Sequence, residues 1–384
     1  MRRARAIALA LLLGAFTPLP AGAAATAPPA ASGAAGARLL SADGFQLAVP
    51  PYVFAFPRDH ASHPAYRTEW WYYTGHLAAG ERHFGYELTF FRVALPRLRA
   101  ASTSLWAVRD LMFVHTALTD EHGQRFLFHD GVMRPALGLA GADSSRYRVW
   151  LDAASAQLAG DGITHLLRAV APDFVLALAA KPLKPPAIHG EGGVSQKTSG
   201  VGQASHYYSF TRMATSGLLV RGTDTLAVSG TSWMDHEYGS GGLSERHAGW
   251  DWFSVQLDDG RELMLYVLRM RDGTIEPLSA GSLIERDGRL RHLTRAEFRV
   301  SALGSWTSAK TGARYPSGWR LELASAGLDL QVEPAIKDQE LVARAMGGVV
   351  YWEGSCRVRG TSHGVAVTGM GYTELTGYTG RAPY

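Results

Sequence analysis

From residue 39 onward the chain is dominated by short runs in which apolar and polar residues alternate. Long stretches with a 3.6-residue apolar period are scarce. FGYELTFFRV places Phe84, Tyr86, Leu88 and Phe90 on one face and Gly85, Glu87 and Thr89 on the other, the two-residue period of a strand. RELMLYVLRM, ending at Met270, is apolar on both faces, which suits a strand covered on both sides. LDDGRE, RDGT and ERDGR are turn signals between such runs. The pattern predicts an all-β protein built from antiparallel strands.

One pattern occurs twice. WWYYTGHLAAGERHFGYEL lies without a gap over WDWFSVQLDDGRELMLYVL at an offset of 180 residues. Trp70 falls on Trp250, Tyr72 on Trp252, Tyr73 on Phe253, Thr74 on Ser254, Leu77 on Leu257, Gly80 on Gly260, Tyr86 on Tyr266 and Leu88 on Leu268. Each copy reads as strand, glycine turn, strand. The repeat predicts two related β-domains of roughly 170 residues, a size at which an antiparallel sheet closes on itself. Gly217, Gly222 and Asp224 mark turns between SHYYSFTR and TLAVSGTSWMD. The expected division is therefore 39–216 and 217–384.

The first residues read differently. Arg2, Arg3 and Arg5 precede an apolar run from Ile7 to Phe16, and Ala21-Gly22-Ala23 fits a signal-peptidase site. Residues 1–23 are expected to be a signal peptide and 24–38, rich in Ala, Gly, Pro and Ser, a disordered linker. The expected location is periplasmic or secreted, with no transmembrane span in the mature chain. With 38 basic against 34 acidic residues and no Lys/Arg block, nucleic acid is not an expected partner. Cys356 is the single cysteine, so packing and not an internal disulfide must hold the fold.

Four stretches mix ionisable groups with large rings: HPAYRTEWWYYTGH, HGEGGVSQKTSGVGQASHYYSFTR, SGTSWMDHEYGS and GWDWF. A carboxyl held among rings has its charged form disfavoured, so it keeps its proton near neutral pH and can donate it. Asp235 is the candidate acid, with His236 and Glu237 beside it. In a strand Trp233, Asp235 and Glu237 share one face, and Met234, His236 and Tyr238 the other. Which face lines a cavity is open at this stage. A structural reading stands beside the catalytic one: Asp235 and His236 cap a turn or pair with Arg67, Arg92, Arg212 or Arg269. No HExxH or cysteine pair supports a metal site near His60, His63 and His236. No G-x-S-x-G elbow occurs, and GEGGVSQK lacks phosphate-loop spacing.

EWWYYTGHL, GEGGVSQK…SHYYSFTR, SGTSWMDHEYGS and GWDWF together resemble the exported AttH proteins and the related carotenoid 1,2-hydratases, from about Gly44 to Tyr378. The resemblance implies two tandem lipocalin-like (calycin) β-barrels. It implies a cofactor-free enzyme that hydrates a C=C bond of a hydrophobic isoprenoid or polyene. Asp235 is then the proton donor, His236 or Glu237 the base that orients water. The expected substrate-binding set is Glu69, Trp70, Trp71, Tyr72, Tyr207, Trp233, Tyr238, Trp250 and Trp252. The alternatives are a periplasmic carrier of a lipid or other hydrophobic ligand serving an ABC transporter, and a secreted hydrolase.

Overall fold

The computed structural model describes residues 39–96 and 107–380. The expected signal peptide (1–23) and linker (24–38) lie outside the described residues. Among the described residues helical structure is limited to three-residue turns such as Arg58–His60. The rest is strand and loop, so the all-β expectation holds: two large antiparallel sheets, each curled over its own core in the two-barrel lipocalin-like arrangement.

In the first sheet Thr68–Ala79 pairs with Arg82–Ala94 on one side and with Asp224–Gly239 on the other; Ala204–Arg221 and Val175–Pro182 follow outward. In the second, His247–Leu257 lies between Glu262–Met270 and Val365–Thr376, followed by Val349–Ser362 and Leu328–Pro334. Each sheet thus pairs its opening strand with its closing strand, and the strand order is the same in both. That is the repeat read in the sequence, now as topology.

The gapless alignment holds on the first strand of each hairpin but fails on the second. Tyr72 opposes Thr89, whereas Trp252 opposes Tyr266, so the offset is 180 on the first strand and 177 on the second. An odd slip exchanges the faces of a strand. Tyr86 accordingly lies in the first barrel core, and Tyr266, its expected mate, lies in a ring cluster between the sheets.

The changeover between sheets also differs from the expectation. Residues 216 and 217 sit within one strand of a hairpin, Ala204–Arg221 with Asp224–Gly239, whose pairing runs from Arg221↔Asp224 to Ser205↔Gly239. Gly222 turns the hairpin, and Gly217 lies within its strand opposite Val228. The chain passes to the second sheet between Gly239 and His247.

Four apolar regions result, the smallest of them around Tyr66, Val194 and Tyr238 beside the first barrel. Trp71, Tyr73, Phe84, Tyr86 and Phe90 fill the first barrel, and Phe253, Leu265, Trp319, Leu330 and Cys356 the second. A third cluster, with Tyr72, Tyr207, Trp233, Trp252, Met264, Tyr266 and Tyr372, is made by outward faces of both sheets. Burying a ring of this size contributes roughly 1.5–3 kcal/mol, so this contact is a substantial part of the fold. Among the described residues no helix is long and apolar enough to cross a membrane.

Candidate functional site between the two sheets

Strand alternation splits the aromatic motif of the opening strand. Trp71 and Tyr73 enter the first barrel, while Trp70 and Tyr72 face the second sheet. The WMDHEY motif is split the same way: Trp233 joins the intersheet cluster, with Asp235 and Glu237 on its side of the strand, whereas His236 and Tyr238 face the other way. The expected site residues therefore fall into two groups on opposite sides of one sheet.

The first group centres on Asp235, which is 4% exposed. Tyr207 Oη donates to Oδ2 at 2.8 Å, and Trp233 Nε1 donates to Oδ1 at 2.6 Å; the Ser209 hydroxyl also donates to Oδ1. Burial raises its pKa to about 7, against the opposing pull of these three donors. Tyr72 and Trp252 meet edge to face with centroids 5.4 Å apart, and Trp252 meets Trp233 likewise at 6.1 Å. The arginines that could have neutralised Asp235 are engaged elsewhere: Arg67 with Asp43, Arg92 with Glu69 and Asp110, Arg212 with Glu262, Arg269 with Asp251. Behind Asp235, Ser209 contacts His189 Nε2 at 2.7 Å, and His189 Nδ1 contacts Ser282 Oγ of the second sheet at 2.8 Å. Burial lowers the His189 pKa to about 3, so the ring is neutral and relays hydrogen bonds without carrying charge.

Glu237 sits two residues along the same face. It accepts the Ser205 hydroxyl and pairs with Lys197 Nζ at 3.0 Å. Lys197 comes from the glycine-rich GEGGVSQK loop and lies over the rings of Tyr266 and Tyr207, 4.5 and 5.1 Å from their centroids. Burial alone would lower its pKa; the Glu237 carboxylate outweighs that and raises it.

A second set of acids completes this interface. Glu87 and Glu353 are buried and Glu374 is half-buried on faces turned to it, and loss of water raises their pKa values, Glu87 to about 8 and Glu374 to about 7. Glu353 lies directly opposite Glu374 on adjacent strands. Glu374 accepts Trp250 Nε1 at 2.9 Å, and Glu87 accepts Thr89 Oγ1 at 2.8 Å. Sequence reasoning placed Glu87 on a strand face but gave Glu353 and Glu374 no role. The repeat held the missing signal: Asp235 opposes Tyr72 and Glu374 opposes Trp252, so aligning the closing strands makes them counterparts.

The second group lies on the barrel side. Glu69 is fully buried and accepts from His236 Nε2 (3.0 Å), His63 Nδ1 (2.9 Å), Arg92 Nε (3.1 Å) and Ser62 Oγ (2.7 Å). Burial opposes its ionisation, yet the two histidines and Arg92 hold its pKa well below the usual range. Trp71 stacks on His236 at 4.9 Å, and His63 on Tyr238 at 3.6 Å. The ligand atoms of His63, Glu69 and His236 lie within 4.8 Å of one another, a spacing that would suit a metal ion. Both Glu69 oxygens, however, already accept several donors, one of them a guanidinium, so the donor set is that of a neutralised carboxylate. Glu69, Trp71, Tyr238 and His236 thus stand on the far side of the strand from Asp235. His236, expected as an alternative base, points away from it because neighbouring strand residues point oppositely.

The comparisons with known proteins agree with this architecture. A structure of a provisionally assigned AttH from Nitrosomonas europaea is 34% identical, covering 86% of this chain and 98% of that one, with a TM-score of 0.77. Kievitone hydratase from Nectria haematococca aligns over 86% of this chain and 95% of that one at 13% identity and a TM-score of 0.67. CghA aligns over 89% and 98% at 15% identity and a TM-score of 0.53. These last two likenesses speak for the fold. No curated protein sequence matches the chain. The AttH-like family model matches residues 47–378, nearly the whole of the described structure, and the chain belongs to that family.

Proposed function

We propose that the protein is an exported hydratase-type enzyme acting by acid-catalysed addition of water to a C=C bond of a hydrophobic, isoprenoid-like substrate, with the chemistry at the ring-walled interface between the sheets. The observation that carries this reading is Asp235: a buried carboxyl with a pKa near 7, held by three neutral donors and unpaired with any guanidinium. Membership of the AttH-like family and the fold shared with kievitone hydratase support it. Export is proposed from the basic, apolar and small-residue pattern of residues 1–23.

In this mechanism the Asp235 O–H bond breaks and its proton bonds to the less substituted alkene carbon, leaving a tertiary cation on the other. Ring faces of Tyr72, Trp233 and Trp252 stabilise that cation by up to about 2 kcal/mol each when water is excluded. A water oxygen then bonds to the cation. Its surplus proton goes to Glu237, on the same strand face, and the proton balance is restored by return of one proton to Asp235. The Ser209–His189–Ser282 chain fixes the carboxyl orientation during the cycle.

The test is incubation with neutral isoprenoids of differing length in 18O-labelled water, read by mass spectrometry. A labelled tertiary alcohol is the expected product. Asp235→Asn keeps the shape, removes the acid, and should lower turnover by about 10²- to 10⁴-fold. Undiminished turnover by that variant overturns the mechanism. Ligand that co-purifies and returns unchanged from the labelled water favours carriage over catalysis.

A further inference from the structure

Glu87, Glu353 and Glu374 bring three carboxyls from both sheets into the same interface as Asp235. Among the described residues none of the three has a Lys, Arg or His ion-pair partner. Lys197 is paired with Glu237, Lys184 and Arg212 with Glu262, and Arg357 with Glu121. The histidines nearby add no charge: burial lowers His115 to about 3 and His76 to about 4. Like charges directly opposite on adjacent strands destabilise a sheet, and Glu353 faces Glu374 in that way. Buried carboxyls without a counter-ion are held as neutral acids.

A second observation points to an absent group. The hydroxyls of Tyr72 and Tyr372, one oxygen of Glu87 and one of Glu353 are buried and make no well-formed hydrogen bond, Tyr72 and Glu353 meeting each other only at the margin of bonding geometry. Tyr72 is 7% and Tyr372 2% exposed, and the charges that most affect both hydroxyls are on Glu353 and its acidic neighbours. Native interiors seldom leave four such atoms together unless something else satisfies them. The donors do not converge as metal ligands do, since His63, Glu69 and His236 form the one such group among the described residues. The wider spacing suits a larger cation with an apolar body. Trp250 and Leu243, both half-buried, form the edge of the ring cluster toward solvent.

We infer that the acidic cluster of Glu87, Glu353 and Glu374 binds a lipophilic cation, of which an alkylammonium is the stable example, in exchange for a proton. One acid O–H ionises as the ammonium enters, its proton leaves to solvent, and the charge inside stays balanced. Tyr72, Trp250 and Trp252 offer ring faces to the same cation. The cluster correspondingly rejects anionic headgroups, since Lys197, Lys184, Arg212 and Arg357 among the described residues are already paired. This inference rests on the proposed function only for the isoprenoid tail. It extends that reading by giving the second sheet a role in holding positive charge of the kind that protonation by Asp235 creates.

The experiment compares three probes with one tail, farnesylamine, farnesol and farnesyl diphosphate, by calorimetry at pH 7 in two buffers of different ionisation enthalpy. The amine should bind at least tenfold more tightly than the alcohol and release a proton from the protein, and the diphosphate at least tenfold more weakly than the alcohol. Glu353→Gln with Glu374→Gln should bring amine and alcohol within about twofold; if that pair does not fold, Glu87→Gln alone should reduce the preference. Equal affinities, absence of proton release, or absence of binding by all three probes overturns the inference. Turnover is measured separately. Amine preference without any hydration removes the enzymatic reading alone, and hydration without amine preference removes this one alone.

Discussion

Asp235 and Glu374 hold the same place in the two halves of the molecule: the first lies across the ladder from Tyr72, the second from Trp252. Asp235 is buried and Glu374 half-buried on the intersheet side, and loss of water raises both pKa values to about 7. Their surroundings differ. Ser209 lies beside Asp235 where Glu353 lies beside Glu374. One acid therefore receives neutral donors and the other a second carboxyl. This relationship makes the two positions separable by substitution.

His236→Asn should separate position from chemistry. The ring bridges Glu69 and Tyr208 on the barrel side, so its loss should cost about 1–3 kcal/mol in urea unfolding. The pH profile of turnover should keep its shape, because Asp235 on the opposite face sets it. A displaced profile in the folded variant would restore His236 to the catalytic group.

Glu69→Gln should be among the more damaging single changes. It leaves Arg92, 4% exposed, without its buried carboxylate partner, a loss of about 3–5 kcal/mol at pH 7. Because the folded-state pKa of Glu69 is depressed, its contribution is present above the unfolded value near 4.5 and is lost as pH falls. The gap between wild type and variant should therefore narrow in acid, as read by denaturant midpoints at pH 7 and below 4.

Glu87→Gln should show the opposite sign. The folded protein keeps the Glu87 proton up to about pH 8, whereas the unfolded chain loses it near 4.5. Wild-type stability contributed by this group is complete below about 4.5 and declines as pH rises to 8, by at most about 1.4 kcal/mol per unit. Glutamine cannot ionise, so the variant should gain on the wild type across that window. A constant difference between pH 5 and 8 would show that Glu87 is ionised in the fold.

Gly75→Ala tests how closely the strands beneath the site pack. An added Cβ would meet Tyr86 Cε1 at 2.6 Å, Ser232 Oγ at 2.7 Å and the Thr231 carbonyl at 2.7 Å. Backbone on one side and a core ring on the other leave little to yield, and a loss of about 1–3 kcal/mol is expected in thermal unfolding.

The fold was legible because alternation and repetition are local. Phe84, Tyr86, Leu88 and Phe90 sit on one core face as their spacing requires, and Glu262–Met270 is covered on both sides, as its unbroken apolar run implies. The acid among rings at Asp235 was visible for the same reason. The hairpin slip was not visible, because sequence alignment carries no information about which residue stands across the ladder. Nor could the letters tell barrel side from intersheet side: Trp70 and Trp71 are equally apolar, and only the curl of the sheet sends one inward. Glu353 and Glu374 escaped notice because neither is flanked by a conspicuous motif; they acquire meaning only when strands about twenty residues apart are laid together.

The three-position slip between the hairpins has an architectural consequence. Had both copies kept one register, each half would show its neighbour the same ladder. Instead the first half presents Glu87 and Thr89 where the second presents Met264 and Tyr266. A homodimer cannot be asymmetric in this manner, since identical subunits cannot disagree about a hairpin. Within one polypeptide the two opening hairpins are free to differ, so the first sets polar side chains on the shared seam where the second sets a methionine and a tyrosine.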